Sequence, residues 1–315
     1  MTTTAERPTA TPSEPRAPRR SSLQRSGDWA RRAPLLPALI LVVIVTQLPF
    51  LVTIVTSFLH WNAYYPDERR FGGLDNFKTV LSDPDARHAI WVTVLLTFVV
   101  VVVSLLLGLV IALLLDRKFM GRGIVRTMMI TPFLIVPVAA ALLWKHALYN
   151  PEYGLLNGLL KGLFGASAPQ VDWIGQFPFL SVAAAIIWQW TPFMMLILLA
   201  GLQSRPLDVV EAARMDGANA WQIFINMTLP HLRQYIELAG LLGTIYVVQN
   251  FDHVFTITSG GLGTANLPYY IYQTFYTAHD YGLASAAGVI VVVLTIIVAT
   301  VALRTVFSLF KEESR

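Results

Sequence analysis

The chain has 315 residues, of which 55% are hydrophobic and only 13% are charged, and its formal net charge is +4. A soluble domain carries roughly a quarter charged residues, so this composition excludes an ordinary soluble globular protein. The sequence contains no cysteine, which excludes disulfides, a thiol nucleophile and Cys-based metal sites. Its long uncharged runs predict an all-α, polytopic membrane protein.

Residues 1–34 differ from the rest, since they are rich in Thr, Pro, Ser, Ala and Arg and hold almost no large apolar side chains. Such a segment cannot bury enough surface to offset its ordering entropy, so it is predicted to be a disordered tail. The apolar run that follows is longer than that of a secretory signal and lacks a credible cleavage site. It is therefore predicted to remain as a helix.

Six runs are long enough to cross a bilayer as helices. They are Leu35–Leu59, Ala89–Leu115, Ile124–Trp144, Phe179–Leu202, Leu232–Asn250 and Gly282–Phe310. These runs predict a transmembrane domain over residues 35–310, followed by a short C-terminal tail, residues 311–315.

The distribution of Lys and Arg predicts the orientation, because these residues are enriched in cytoplasmic loops. With the N-terminus inside, 17 of the 23 basic residues fall in cytoplasmic segments and 6 fall outside. Both termini are therefore predicted to be cytoplasmic. The loop between the fourth and fifth runs, residues 203–231, is predicted to face the cytoplasm as well.

That polar loop, which reads SRPLDVVEAARMDGANAWQIFINMTLP, predicts two short helices. Pro206 suits a first helical turn, with Ser204 as a nearby cap and Asp208 near the positive end of the helix dipole. Gly217 follows Asp216 at the point where a helix end needs a residue that tolerates positive φ. By periodicity alone, the loop fits an interfacial helix on lipid headgroups equally well.

The spacing of residues in this loop resembles the EAA loop of ABC importer permeases. The matching residues are Glu211, Ala212, Ala213, Asp216, Gly217, Leu229 and Pro230. Met227 departs from the family's usual Ile, which is a volume-conserving apolar change. The resemblance implies that the loop forms a coupling helix that docks into a cleft on a cytoplasmic ATPase.

Three further segments extend the resemblance to carbohydrate ABC importer permeases, the binding-protein-dependent inner-membrane components. They read GLDNFKTVLSDP (73–84), WQWTPFMMLILLAGLQ (188–203) and FTITSGGLGTANLPYYIY (255–272). The last is similar to the larger membrane subunit of the maltose importer. The resemblance implies a type I importer fold with six transmembrane helices in a bacterial plasma membrane. It also implies a second permease subunit in a heterodimer, an ATPase dimer and an external solute-binding protein.

The chain itself has no sequence for ATP hydrolysis. A phosphate-binding loop needs Gly-Lys followed by Ser or Thr, and none of the five lysines follows a glycine. We therefore expect no catalytic residue, metal or cofactor on this chain, with ATP and Mg²⁺ bound by the partner ATPase. The basic pI serves membrane topology, so no nucleic-acid partner is expected.

Polar groups inside apolar spans are candidate site residues because they are costly at membrane depth. One cluster surrounds Trp188–Phe193, where Pro192 can kink the helix, and the other covers Tyr246–His253. The family resemblance implies aromatic and amide contacts to one sugar at these positions. The predicted substrate-binding residues are Trp190, Phe193, Tyr246, Gln249 and Asn250. Ordinary packing is the alternative for these side chains, above all for Trp188.

Rival functions are a secondary transporter and a membrane enzyme. The first needs intramembrane carboxylates or an inverted repeat, and the span interiors hold almost no carboxylates. The second needs a nucleophile–base pair or a metal cluster on one face, and neither is visible. Within importers, the substrate is expected to be a neutral sugar or polyol, and the alternative is another polar solute such as glycerol-3-phosphate. An anion would call for a cation in the cavity, and spans four and five show none.

Overall fold

A computed structural model describes residues 33–311, so most of the predicted N-terminal tail and the last residues of the C-terminal tail lie outside the described range. The chain divides into two units after Val52. The first unit holds most of helix α1 (Leu36–Ser57), whose 22 residues coincide with the first predicted span.

The second unit begins with a small antiparallel hairpin. Strand β1 (Leu59–His60) pairs with β2 (Arg70–Phe71), and helix α2 (Asp75–Ser82) follows. Asn76 of α2 is buried, and its amide donates hydrogen bonds to the main-chain oxygens of Ser57 (2.9 Å) and Leu59 (2.8 Å). These bonds hold α2 against the start of the hairpin.

Helices α3 (Pro84–Asp116) and α8 (Pro178–Gln203) are the central pair of this unit. Their buried aliphatic side chains form one continuous core, which includes Leu96 and Val100 on α3 and Val182 and Ile186 on α8. Toward the C-terminal end of α3, Gly108 allows α3 and α8 to approach closely, because a Cβ there would lie 2.9 Å from the main-chain nitrogen of Met195. Small residues at such crossings let two membrane helices pack backbone to backbone.

The third predicted span is not one straight helix, which corrects the sequence prediction. Helix α4 (Arg122–Leu134) ends before α5 (Pro137–Leu142), which continues as a π-helix over Leu143–Leu148, and the two parts meet at 98°. Ile135 and Val136 between them are extended, with ψ of 136° and 134°. Val136 precedes Pro137, whose ring disfavours helical geometry in the residue before it.

A loop with two short helices, α6 (Leu155–Phe164) and α7 (Trp173–Gln176), leads to α8. Asn157 organises this loop, because its buried side chain binds the main chain of Pro151 and Val171 and the indole nitrogen of Trp173. Its amide oxygen accepts two of these bonds and its amide nitrogen donates the others.

The remaining helices follow in quick succession after α8. They are α9 (Leu207–Met215), α10 (Ala220–Ile223) with a π-helical extension over Phe224–Thr228, α11 (Leu229–Val248), α12 (Asp252–Thr258), α13 (Leu267–Tyr272) with a π-helical extension over Gln273–Thr277, and α14 (Tyr281–Lys311). A second buried cluster joins α3, α8 and α11 through Leu115, Leu199 and Leu232.

By length and composition, four described helices can cross a membrane, or five if the bent pair counts as one span. Helix α11 covers the fifth predicted span but is not among them, since its first turns carry His231, Arg233 and Glu237. The fold class is thus an all-α membrane protein, while a crossing by α11 stays a prediction.

Candidate functional site

A cavity of about 340 Å³ lies beside two breaks in helical structure and against the continuous, proline-containing helix α8. The bend between α4 and α5 forms one wall, α8 with its internal Pro192 forms another, and the end of α11 before α12 forms the third. The lining residues are Phe133, Ile135, Pro137, Gln189, Trp190, Tyr246, Gln249, Asn250 and Asp252. Four of the five predicted substrate residues are therefore brought together here.

Aromatic rings form one side of the cavity. Trp190 and Tyr246 stack with their centroids 5.3 Å apart and their planes at 29°, and Phe133 meets Trp190 edge-on at 5.6 Å. Tyr246 keeps 57% of its surface exposed. These rings offer an accessible apolar surface next to polar groups, which is the usual composition of a small-molecule site.

Phe193, the fifth predicted substrate residue, does not line the cavity. Its ring stacks on Phe133 at 5.3 Å and meets Trp190 edge-on at 5.6 Å. It therefore lies behind the two rings that line the cavity and supports them. Gln189 lies one helical turn before Phe193 on α8, and it is Gln189 and Trp190 that line the cavity.

Gln189 is 4% exposed and has one satisfied and one unsatisfied amide atom. Its Nε2 donates a 2.7 Å hydrogen bond to the main-chain oxygen of Ile135 in the bend. Its Oε1 is buried and has no partner among the described residues. A buried acceptor of this kind is uncommon in native structures and marks a place where a donor is expected.

Asn250 follows the end of α11, and only one of its two side-chain amide atoms has a hydrogen-bond partner. Its side chain lies 3.0 Å from Nδ1 of the fully buried His253, and its main-chain oxygen accepts a hydrogen bond from Asn266. The other amide atom, Oδ1, has no partner in the described part of the chain. Either orientation of the amide leaves one polar atom unpaired. Two amides of the cavity wall thus have spare hydrogen-bonding capacity.

Asp252 carries the one charge among the residues that line the cavity. It begins α12, where a carboxylate is stabilised by the helix dipole. The lining therefore presents hydrogen-bonding amides, aromatic rings and a negative charge, with no basic side chain.

The segment between α8 and α11, residues 204–228, forms two short helices as predicted. Gly217 has φ +88°, the amide of Ala218 donates to Ala213 and the amide of Gly217 donates to Arg214. This bond pattern is the Schellman motif that ends α9 with a left-handed residue. The expectation of positive φ at Gly217 is confirmed. Ser204 does not cap α9, whose N-cap is Pro206; it is the C-cap of α8, and its hydroxyl bonds Gly201, Tyr235 and His231.

The second helix of this segment begins with a capping box. Asn219 accepts from the amide of Gln222, and the Gln222 side chain accepts from the amide of Asn219. Large apolar side chains stand out from the surface nearby, with Met215 89% and Trp221 70% exposed. An exposed apolar patch on a well-defined loop is typical of a binding surface.

The residues that carry the loop motif lie along this segment and its exit. Glu211, Ala212, Asp216 and Gly217 are exposed, and Ala213 is half-buried. Leu229 and Pro230 form the first turn of α11. The backbone remains helical from the π-helical turn into α11, since Thr228 has φ −72° and ψ −49°.

The bent helix pair beside a cavity of aromatic and amide side chains fits a membrane transport protein, because irregular backbone within a membrane is tolerated where it lines a cavity. Residues 104–308 match the family of binding-protein-dependent transport system inner membrane components. The chain belongs to that family, the permease subunits of ABC importers.

Named relatives cover most of both chains. The trehalose/maltose transport system permease protein MalF of Thermococcus litoralis is 36% identical over 265 residues, which are 83% of this chain and 88% of that one. The trehalose transport system permease protein SugA of Mycobacterium tuberculosis is 35% identical over 256 residues, 81% of each chain. The sulfoquinovosyl glycerol transport system permease protein SmoG of Agrobacterium fabrum is 32% identical over 279 residues, 86% of this chain and 88% of that one.

A solved structure shares the fold. It is the crystal structure of a bacterial alginate ABC transporter in complex with an alginate pentasaccharide-bound periplasmic protein. The TM-score is 0.78 at 21% identity, over 93% of this chain and 99% of that chain. At this identity the likeness shows the importer permease fold.

Sequence reasoning missed the part of the cavity that the bend supplies. Phe133, Ile135 and Pro137 line it, and a pair of prolines in one apolar run, Pro132 and Pro137, was the available signal. Gln189 and Asp252 belong to the two polar clusters but are not among the predicted substrate-binding residues. Their position on the cavity wall depends on how α8 and the end of α11 pack against the bent pair, which sequence spacing does not specify.

Proposed function

We propose that this chain is the permease subunit through which an ATP-driven importer moves a neutral sugar or polyol. An external solute-binding protein delivers the substrate, which passes through the cavity between the bend, α8 and the end of α11. Trp190, Tyr246, Gln249 and Asn250 contact it, and Phe193 holds the aromatic wall in place. The chain performs no chemistry.

The observation that carries this proposal is the pairing of exposed aromatic surface with unsatisfied amides in one cavity. A sugar ring has an apolar C–H face that stacks on an aromatic ring and a rim of hydroxyls that donate and accept. Gln189 Oε1 and Asn250 Oδ1 are unpaired but buried in the cavity wall, so a small turn of each side chain toward the cavity would let them accept from such hydroxyls. The names of the relatives, among them trehalose/maltose permeases, support the same substrate class.

Charge favours a neutral substrate over a phosphate ester. Recognition of an anion at membrane depth calls for Arg, Lys or a helix N-terminus aimed at it. The cavity lining has no basic side chain, and the α12 N-terminus that borders it already carries the carboxylate of Asp252. An anionic solute such as glycerol-3-phosphate would meet repulsion there, whereas a neutral polyol meets hydrogen-bonding groups.

The α9–α10 segment, residues 204–228, is the surface for the cytoplasmic ATPase dimer. Its exposed Met215 and Trp221 provide the apolar contact, and its Schellman turn at Gly217 sets the angle between the two helices. ATP and Mg²⁺ bind to that ATPase. A second permease subunit completes the membrane domain, and both termini of this chain face the cytoplasm, in keeping with the excess of basic residues there.

The test is uptake by the importer assembled in vesicles from this chain and its partner subunits. Trehalose and maltose would be offered on the binding protein, with glycerol-3-phosphate as the anionic comparison. Asn250→Ala should weaken the apparent affinity for the neutral sugar by about five- to over a hundredfold, since leaving one buried partner unpaired costs roughly 1–3 kcal/mol.

The matched comparison uses two exposed tyrosines. Tyr246→Ala removes a ring of the cavity wall, whereas Tyr153→Ala removes one that is 70% exposed and outside the cavity. Uptake per assembled complex should fall in the first and remain in the second. Unchanged sugar uptake by both Asn250→Ala and Tyr246→Ala, or preferred uptake of the phosphate ester, would refute the proposed substrate site.

A further inference from the structure

The guanidinium group of Arg205 joins the two ends of the α9–α10 segment, which are called its base below. Nη2 of Arg205 lies 3.0 Å from Oδ2 of Asp116, the last residue of α3, and Nη1 donates to Oγ1 of Thr228 at 2.8 Å. Arg205 stands at the entrance of the segment and Thr228 at its exit. One side chain therefore joins both ends of the segment to the end of α3.

We propose that Arg205 is a positioning residue that transmits movement of the α9–α10 segment to α3 and α11. The inference rests on the proposed docking of an ATPase on this segment. Docking would act on the exposed tip around Met215 and Trp221. Because the guanidinium group of Arg205 binds both Asp116 and Thr228, displacement of the tip would displace the end of α3 and the start of α11.

Partial burial shields this contact from the solvent. The side chains of Arg205 and Asp116 are 16% and 26% exposed, so the pair is partly shielded from water and salt. Arg presents several N–H groups in a rigid plane, which allows one residue to hold two partners in a defined geometry. A lysine has no such fork.

A second set of hydrogen bonds supports the same base. Oγ of Ser204 lies 2.8 Å from the hydroxyl of Tyr235 and 3.1 Å from Nε2 of His231, both on α11. Nε2 of His231 also lies 3.2 Å from the main-chain oxygen of Gly201 on α8. Ser204 also donates to that oxygen at 2.9 Å, so the base of the segment bonds to α3, α8 and α11 while its tip is exposed.

The experiment uses substitutions that keep side-chain shape. Thr228→Val removes the hydroxyl acceptor at nearly equal volume, Thr228→Ser keeps the hydroxyl, and Asp116→Asn removes the charge. The control is Glu237→Gln, which breaks the 2.8 Å ion pair with Arg233 inside α11 and leaves Arg205, Asp116 and Thr228 unchanged. All are measured in the full complex in vesicles, with trehalose or maltose on the binding protein.

The readouts are ATPase copurification, the yield of assembled complex and the number of sugars transported per ATP hydrolysed. In Thr228→Val and Asp116→Asn the ATPase should still copurify, but the sugar-to-ATP ratio should fall by roughly fivefold or more, the range of typical couplings between two sites. Thr228→Ser and Glu237→Gln should keep the wild-type ratio.

Equal ratios in all four variants would overturn the role of Arg205 while leaving the ATPase docking intact. An equal loss in Thr228→Val and Thr228→Ser would also overturn it, because the hydroxyl would then be irrelevant. Failure of Thr228→Val and Asp116→Asn to assemble, where Glu237→Gln assembles, would show a purely structural contact. If the ATPase does not bind the wild-type complex at all, the docking proposal itself fails.

Discussion

The side-chain amide nitrogen of Gln189 lies 2.7 Å from the main-chain oxygen of Ile135 and donates a hydrogen bond to it. Gln189 belongs to α8, whereas Ile135 lies in the extended break between α4 and α5. A carbonyl at the end of a helix lacks a partner further along that helix, so another group must satisfy it. This bond joins the bent pair to α8 beside the cavity.

Replacing Gln189 with Met should destabilise the fold, because Met has similar length but cannot donate to Ile135. A buried polar group left without a partner costs about 1–3 kcal/mol. The midpoint of thermal unfolding in detergent, followed by tryptophan fluorescence, should fall. The control is Gln170→Met, since Gln170 is exposed and its amide makes a comparable 2.8 Å bond to Pro151. An equal fall in both variants would contradict the prediction.

Gly217→Val should damage the turn between α9 and α10, because a β-branched residue resists the positive φ found there. The left-handed conformation costs an L-residue roughly 1–2 kcal/mol. Less ATPase should copurify with the assembled complex, and uptake should drop with it. Gly217→Asn is the control, since Asn tolerates this conformation better than most residues. Full ATPase binding by the Val variant would show that the turn is not needed.

Gly108→Ala should destabilise the α3–α8 pair. Its new Cβ would lie 2.9 Å from the main-chain nitrogen of Met195 and 3.0 Å from Cβ of Met194, so the helices would have to move apart. Overpacking of this kind costs about 1–3 kcal/mol. In Gly240→Ala the new Cβ would meet a Leu105 methyl group at an ordinary 3.5 Å. Thermal unfolding should separate the two variants, and an equal response would argue against close packing at Gly108.

Tyr246→Leu should affect substrate use more than Phe193→Leu does. Tyr246 lines the cavity, whereas Phe193 lies behind Phe133 and Trp190. We expect the apparent KM for the neutral sugar to rise about tenfold for Tyr246→Leu, which corresponds to about 1.4 kcal/mol, and less for Phe193→Leu. Uptake titrations per assembled complex measure both. A larger effect at Phe193 would place that ring in direct contact with the substrate.

Local sequence features determined the class of this protein and much of its secondary structure. Apolar runs of about twenty residues predicted α1, α3, α8 and α14 within a few residues. Such runs form helices because lipid offers no hydrogen-bond partners and a helix pairs its own backbone groups. The spaced motif around Glu211 predicted the family, and Gly217 after Asp216 predicted the positive φ that ends α9. Each of these signals lies within one continuous segment of chain.

Tertiary structure decided which side chains meet. The 98° bend brings Phe133 and Ile135 to Trp190 and Tyr246 and leaves Phe193 behind them. Arg205 reaches Asp116 across 89 residues. Spacing along one helix predicts which side chains share a face. The direction of a bend and the partner of a buried charge depend instead on packing between helices that are distant in sequence. Each such arrangement is selected by the combined contacts of several elements.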